Sequence, residues 1–357
     1  MSIQHILVLG LGKVGTLVAT FLEIGGYQTT GVDSIEHPKL PFKTIRADIT
    51  DKQTLCKLLK DYDAVVSCLP YHLNLHVATC AYETKTHYFD LTEDVSTTQA
   101  IQKMAVTASS IMAPQCGLAP GFIAIVGAHL AGCFTSLRSM ELRVGALPQH
   151  PKGNLGYAFN WSAEGVVNEY LNDCQSIYDG QIKMVPAMQD LETIILQGKT
   201  LEAFTTSGGL GTLCETFAGK IEELNYKTLR YPGHMRLMRF FFQELKMRKN
   251  RELAGTILVN AKPPVDDDVV YVHAAVEGQM NENDRLVIRR KEYVRAYYPL
   301  TIAGKQWRAI SWTTAASIVA VIELAATGAL PIRGFIKQED IPLPAFLETK
   351  TGQYYKG

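Results

Sequence analysis

The sequence predicts an α/β protein: a Rossmann-type, doubly wound parallel sheet joined to a second, α+β domain with a largely antiparallel sheet. Three observations predict it. A short apolar run ending at Leu9 leads directly into Gly10-x-Gly12-x-x-Gly15. Strand-like and helix-like segments then alternate through the first third. From about residue 137 that alternation weakens, and segments with a period of two take over.

Each early element has a local reason. After the glycines, Val14, Leu17, Val18, Phe21 and Leu22 recur at helical spacing, and Gly25-Gly26 ends that helix. A strand near residues 28–32 follows and terminates in Asp33. Gly10 permits the tight turn, Gly12 lets backbone N–H groups approach a pyrophosphate, and Gly15 lets helix and strand pack closely. The intervening Lys13 and Val14 open a helix whose positive end favours phosphate. Asp33 lies 23 residues after Gly10, near the separation expected of a carboxylate that holds ribose hydroxyls. A carboxylate there repels a 2′-phosphate, so NAD is preferred to NADP, although Lys39, Lys43 and Arg46 lie downstream to soften that repulsion.

The alternation continues with strands near 44–47, 64–67, 87–89 and 111–113, and helices through Lys60, over 74–83 and over 97–108. Six strands in the order 3-2-1-4-5-6 put a ligand at their carboxyl ends. Asp48, Ile49, Leu69, Pro70, Glu93 and Asp94 fall at those ends. In the middle, residues 140–144, 269–276 and 286–298 read as strands with one wet face, and residues 164–171 and 232–247 as helices. Residues 311–328 read as a long helix, capped by Ser311 or Thr313, that returns to the first domain. The expected division is 1–115 with about 311–342 for the dinucleotide and 116–310 for substrate and dimerisation. The proline-interrupted tail is expected to wrap a surface.

Composition narrows the class. The chain has 357 residues, 47% hydrophobic and 20% charged, with 35 basic and 35 acidic side chains. That suits about two domains with sizeable cores and argues against charge-driven binding to nucleic acid or membrane surfaces. Seven scattered cysteines without a C-x-x-C fit neither a disulfide framework nor a metal module, and suggest a reducing cytosol. The first residues enter a strand rather than a signal peptide. The apolar stretch 122–134 is short of the roughly 20 residues that span a bilayer. A neutral cytoplasmic enzyme, forming a homodimer, is the expectation.

Three segments carry a family resemblance. Residues 115–121 (QCGLAPG), the glycine fingerprint and residues 224–234 (LNYKTLRYPGH) occur in the order found in the saccharopine dehydrogenase family. Residues 160–164 (NWSAE) and 204–210 (FTTSGGL) also resemble it. The chain is most similar to the lysine 6-dehydrogenase-like branch. The resemblance implies an NAD(P)-dependent oxidoreductase acting at an amino-acid C–N bond, converting the lysine ε-amine to a semialdehyde. The alternatives are a saccharopine- or carboxyspermidine-type imine reductase, and a non-catalytic NAD-binding protein. The saccharopine reductases carry Asp where this chain has Ala119, and tend to carry Cys in the turn where it has Gly145-Ala146; both departures favour the lysine reading.

The chemistry requires a carboxylate clamp, an amine site and a proton acceptor. Arg230 is the candidate clamp, because a guanidinium meets a carboxylate bidentately; a surface role packed on Tyr231 is the plain alternative. His234 is the candidate base. With Pro232 in the first turn of a helix, the helix dipole is expected to keep the imidazole neutral, against a merely structural helix-end histidine. Glu93 or Asp94 can bind an ε-ammonium, with helix capping the simpler role for Asp94. Cys116 is either a thiol nucleophile or a small buried residue. Trp161, Thr205 and Thr206 are candidate cleft residues, Trp161 equally a core residue. The 266–268 acidic run reads as a solvated turn, and no metal site is expected.

Overall fold

The computed structural model describes residues 3–37 and 40–356. Lys39, named above, lies outside the described residues. The chain divides into two compact units, Met1–Ile125 with Ser311–Gly357, and Val126–Ile310.

The first unit opens with β1 (His5–Leu9), α1 (Gly15–Gly25), β2 (Gln28–Asp33), β3 (Lys43–Arg46), α2 (Lys52–Leu59), β4 (Ala64–Ser67), α3 (Tyr71–Thr84), β5 (His87–Asp90), α4 (Val95–Ala105) and β6 (Ile111–Ala113). All sheet pairs are parallel. Leu7, Leu9, Val65 and Tyr88 are fully buried beneath Leu55, Val77 and Ile101 of the covering helices, the burial that near-continuous apolar strands require. Asp51 caps α2 by accepting from Thr54 N, so local polar chemistry sets where that helix begins. Helix α5 (Phe122–Ala131) follows the turn at residues 117–121.

The second unit comprises β7 (Ser136–Pro148), α6 (Ala163–Leu171), β8 (Cys174–Tyr178), β9 (Gln181–Val185), β10 (Glu192–Leu196), β11 (Lys199–Thr205), α7 (Leu213–Phe217), β12 (Ile221–Arg230), α8 (His234–Arg239), α9 (Arg251–Ala261), β13 (Asp268–Glu282), β14 (Arg285–Tyr297), β15 (Leu300–Ile302) and β16 (Lys305–Trp307). Its main sheet runs β10-β11-β12-β7-β13-β14, with β8 and β9 attached to β12. Only β12 and β7 pair in parallel. The expected strand at 140–144 is the middle of the 13-residue β7, so Gly145-Ala146 lie within a strand and not in a turn. The Cβ of a side chain at Gly145 would come within 2.6 Å of the Leu229 backbone oxygen, which holds β7 and β12 close together. The helix expected over 232–247 is split: α8 starts at His234 behind Gly233, which leaves Pro232 outside, and Phe240–Glu244 is a π-helical turn. The hairpins over 174–205 and helix α9 were not foreseen.

Helix α10 (Ala309–Ala326) then opens the return to the first unit, two residues earlier than expected. Neither Ser311 nor Thr313 caps it. Asp268, read from sequence as solvated, is fully buried and accepts from Ala309 N (2.6 Å) and Ile310 N (3.0 Å). A buried carboxylate is retained there because orphan helix donors satisfy it. Helix α10 is long and apolar enough to cross a membrane, but 78% of that stretch is buried in the protein.

The tail is not a surface wrap. β17 (Gly334–Phe335) pairs with Ile111 and Met112, adding a seventh strand in the order β17-β6-β5-β4-β1-β2-β3. Past α11 (Leu343–Glu348), the Tyr355 ring stacks on Phe122 with centroids 3.9 Å apart and packs against Trp312. Asp268→Ala should lower the unfolding free energy by about 1–2 kcal/mol, the range for a lost helix cap, measured by urea denaturation. An unchanged midpoint would show that the cap contributes nothing.

Candidate functional site

In the first unit the glycine loop lies at the carboxyl ends of β1 and β4. Gly10 takes φ +84°, a left-handed value that a side chain would strain. A Cβ on Gly15 would sit 1.8 Å from the Gly10 carbonyl oxygen, whereas one on Gly12 would meet nothing within 4 Å. The turn and the helix are therefore locked by Gly10 and Gly15, and the backbone at Gly12 faces open space. Helix α1 has no side-chain cap at Val14 and no acid in its first turn, so its leading N–H groups are available to an anion. Lys13 is exposed beside them.

Asp33 is tied to this loop: Leu11 N donates to Oδ2 at 2.8 Å, and Ile35 N and the Ser34 hydroxyl donate more weakly to Oδ1. Partial burial opposes its charge, but these donors and nearby His37 outweigh it and hold the pKa below the usual carboxylate value. His37 Nε2 lies 3.3 Å from Oδ2. Arg46 is paired across from Asp33 on β3 and donates through Nε to Ser34 O; Lys43 is exposed at the start of that strand. Asp48 is exposed and accepts from Thr50 N and Oγ1. Ile49 is buried, with its carbonyl 3.0 Å from His76 Nε2. Leu69 lies against Gly10, and Pro70 precedes α3 without a side-chain cap.

The other first-unit candidates are placed less favourably for chemistry. Asp94 caps α4, accepting from Thr97 N and the Ser96 hydroxyl. Glu93 is half-buried beside it. Cys116 is fully buried; burial and then the Asp90 charge push its thiol well above the ordinary value, and Gln338 Nε2 donates to Sγ. A neutral, enclosed thiol is a poor nucleophile. Asp90, missed from sequence, accepts from Tyr88 Oη (2.7 Å), Thr92 N (2.9 Å) and Gln115 N (2.9 Å), so it joins the turn after β5 to the start of the QCGLAPG segment. Burial raises it to about 6 against those donors.

The second unit holds a buried polar chain. Arg230, at the end of β12, is 2% exposed and has no ion-pair partner among the described residues. Nε donates to Tyr170 Oη (2.7 Å), and Nη1 donates to Leu229 O (2.8 Å) and the Thr228 hydroxyl. The guanidinium also lies over the Tyr157 ring, 4.6 Å from its centroid. Nη2 has no hydrogen bond to a described residue. The surface role for Arg230 is thereby excluded by its burial.

His234 lies 2.9 Å from Tyr170 Oη through Nε2 and 2.9 Å from the Leu155 carbonyl through Nδ1. A carbonyl only accepts, so Nδ1 carries the proton, Nε2 is the acceptor and Tyr170 donates to it. Burial, then the Arg230 charge, push His234 down to about 3. The expected neutrality of the ring thus has a different cause. The helix N-terminus is already occupied by Glu202, whose carboxylate accepts from Gly233 N and Met235 N. Trp161 Nε1 donates to Tyr157 Oη at 3.3 Å. Thr205 Oγ1 donates to Pro186 O and accepts from Gln189 N, strapping that loop to β11. Thr206 is buried, and its hydroxyl has no partner among the described residues. Tyr170 and Glu202 had no sequence signal, since their partners are distant along the chain.

His234 sets a pH dependence. Its folded pKa is depressed, so its stabilising contribution is complete above the unfolded value near 6.5 and is lost as pH falls toward about 3. Between pH 7 and 5 this residue should cost about 2 kcal/mol of unfolding free energy. Denaturation curves of His234→Gln should show that loss removed; an equal loss in the variant would refute the assignment.

Residues 6–113 match the saccharopine dehydrogenase NADP binding domain family, and residues 117–350 the saccharopine dehydrogenase C-terminal domain family. The NADP(+)-dependent, L-glutamate-forming saccharopine dehydrogenase of Saccharomyces cerevisiae is 30% identical over 151 residues, 40% of this chain and 33% of that protein. Its Schizosaccharomyces pombe counterpart is 26% identical over 159 residues, 42% of this chain and 35% of that protein. The matched stretch thus spans about a third of the curated relatives. Among solved structures, apo saccharopine dehydrogenase (L-Glu forming) from S. cerevisiae superposes with a TM-score of 0.77 at 17% identity, covering 99% of this chain and 98% of that one. The C. glutamicum DAP dehydrogenase in complex with DAP gives 0.53 at 11%, covering 100% and 99%. These superpositions carry the fold alone. The two domain matches, which between them take in nearly every residue of the glycine cradle and of the buried Arg230 chain, place this protein in the saccharopine dehydrogenase family.

Proposed function

We propose that this chain is an NAD-dependent oxidoreductase acting at the C–N bond of an amino acid, lysine 6-dehydrogenase-like. The observation that carries the amino-acid reading is Arg230, a desolvated guanidinium with no carboxylate partner and an unused Nη2. Burying such a charge is costly unless an anion completes its coordination. A substrate α-carboxylate is that anion. Residues 1–115 with about 311–342 hold the dinucleotide in this reading, and residues 116–310 bind the substrate.

A nicotinamide dinucleotide, when bound, supplies the hydride acceptor. The residues that suit it are the Gly10–Gly15 backbone and α1 N-terminus for the pyrophosphate, and Asp33 for the ribose hydroxyls. Oxidation of an amine first needs loss of the ammonium proton. His234 Nε2 accepts from Tyr170 and is held at about 3 by burial and the Arg230 charge, too weakly basic to keep that proton, so its part is to orient the Tyr170 hydroxyl while the ammonium loses its proton to solvent at alkaline pH. Ala119 supplies no carboxylate at the position where the resemblance places one in saccharopine reductases, which favours lysine over an imine substrate. The named relatives favour a second reading, imine reduction with NADPH; Arg46, beside Asp33, is a cation that suits a 2′-phosphate.

A cofactor-coupled assay separates the two. Lysine with NAD at alkaline pH should raise absorbance at 340 nm without added 2-oxoglutarate. Oxidation of NADPH only when an aldehyde and an amino acid are supplied together would replace this reading with the second. Arg230→Gln should raise the substrate KM at least about tenfold, the effect of losing one charge-assisted pair. Asp33→Ala should raise the KM for NAD by about tenfold and lower that for NADP; unchanged cofactor preference would remove Asp33 from the ribose site.

A further inference from the structure

We propose that a second small-molecule site, distinct from the Arg230 clamp but sharing Tyr170 with it, lies in the second unit between α6, the 186–189 loop and the π-helical turn, and that it binds a free α-amino acid with a short aliphatic side chain. A cavity of about 110 Å³ opens there, with Tyr170, Met188 and Phe242 on its walls and Asp173 and Arg248 also lining it. Tyr170, Met188 and Phe242 are buried. The volume is that of a few methylene groups.

The two charges define the ligand. Asp173 and Arg248 are both exposed, and neither pairs with another described side chain. An ammonium on Asp173 and a carboxylate on Arg248 are the two ends of one zwitterion, with the side chain directed toward Tyr170, Met188 and Phe242. A purely anionic or cationic molecule satisfies only one of them.

The walls are built from backbone that local sequence does not favour. Phe240–Glu244 forms a π-helical turn, a rare conformation found frequently at functional sites. Met188 takes φ +56°, a left-handed value that costs a bulky residue energy. That strain is maintained by Met188 N donating to Thr205 O and by the Thr205 hydroxyl on Pro186 O. Tyr170 joins this cavity to the Arg230–His234 chain, since its ring lines one and its hydroxyl belongs to the other. An occupant here thus contacts the residue that orients both candidate catalytic groups.

Isothermal titration of the full chain with L-valine, L-leucine, isobutylamine and isovalerate tests this. One of the two amino acids should bind at one site per chain, and each single-charge analogue should bind at least about tenfold more weakly. Asp173→Asn and Arg248→Gln should each weaken the amino acid at least about tenfold while leaving the thermal midpoint unchanged, because both side chains are exposed. Arg230→Gln should retain the binding, which separates this site from the proposed substrate clamp. Absence of binding at about 10 mM ligand, full affinity in the double variant at 173 and 248, or loss of binding in Arg230→Gln alone would each overturn the proposal.

Discussion

A desolvated guanidinium organises the second unit. Arg230 brings a full positive charge into a site of aromatic rings and hydroxyl and carbonyl oxygens, with the buried Glu169 carboxylate acting on it from beyond ion-pair distance, and its neighbours are arranged in response. Tyr170 presents its oxygen to Arg230 and its proton to His234; His234 must therefore be neutral at Nε2 and protonated at Nδ1, and Leu155 must present its carbonyl. One charge fixes the proton positions along three side chains. Glu202 lies on the neighbouring strand, in register with Arg230, yet its oxygens face the α8 backbone, so it forms no ion pair with the guanidinium.

The first unit follows a different logic. There the working groups are backbone N–H donors, and side chains serve mainly to hold them still. Asp33 illustrates the economy: the carboxylate suited to a ribose is the same group that receives Leu11 N and so steadies the glycine loop. Asp90 does the equivalent at the end of β5, where a buried carboxylate ties the turn after that strand to the segment after β6.

What was legible in the sequence was what is local. Gly10, Gly15 and Asp33 act within a few tens of residues, and each role follows from geometry that the residue type demands. The central strand order followed too, because parallel crossovers leave few alternatives. Asp268 was misread because its partners, Ala309 N and Ile310 N, lie 41 and 42 residues away and nothing in an Asp-Asp-Asp run signals burial. The two-residue strand β17 was invisible for the same reason: only pairing with Ile111 and Met112 creates it. Arg230 and His234 were picked out by motif, but the reason His234 is neutral lay in burial and a neighbour's charge, not in the helix end. One omission had a readable signal. Asp179-Gly180 joins β8 to β9 with both residues at positive φ, the turn that an Asp-Gly pair between strand-like segments announces.

The way the chain enters and leaves its middle section bears on how the protein is made. The first unit contains residues from both ends, and its β17 strand and Tyr355 stack come from the last part of the sequence. The middle unit is contiguous in sequence. During synthesis the middle unit is complete once residue 310 has left the ribosome, while the first-begun unit still lacks an edge strand and the ring that covers Phe122. The order of completion therefore inverts the order of translation. A nascent chain carries an open, apolar sheet edge for the whole time that the middle unit is being built, which makes this interval the one most exposed to misassembly.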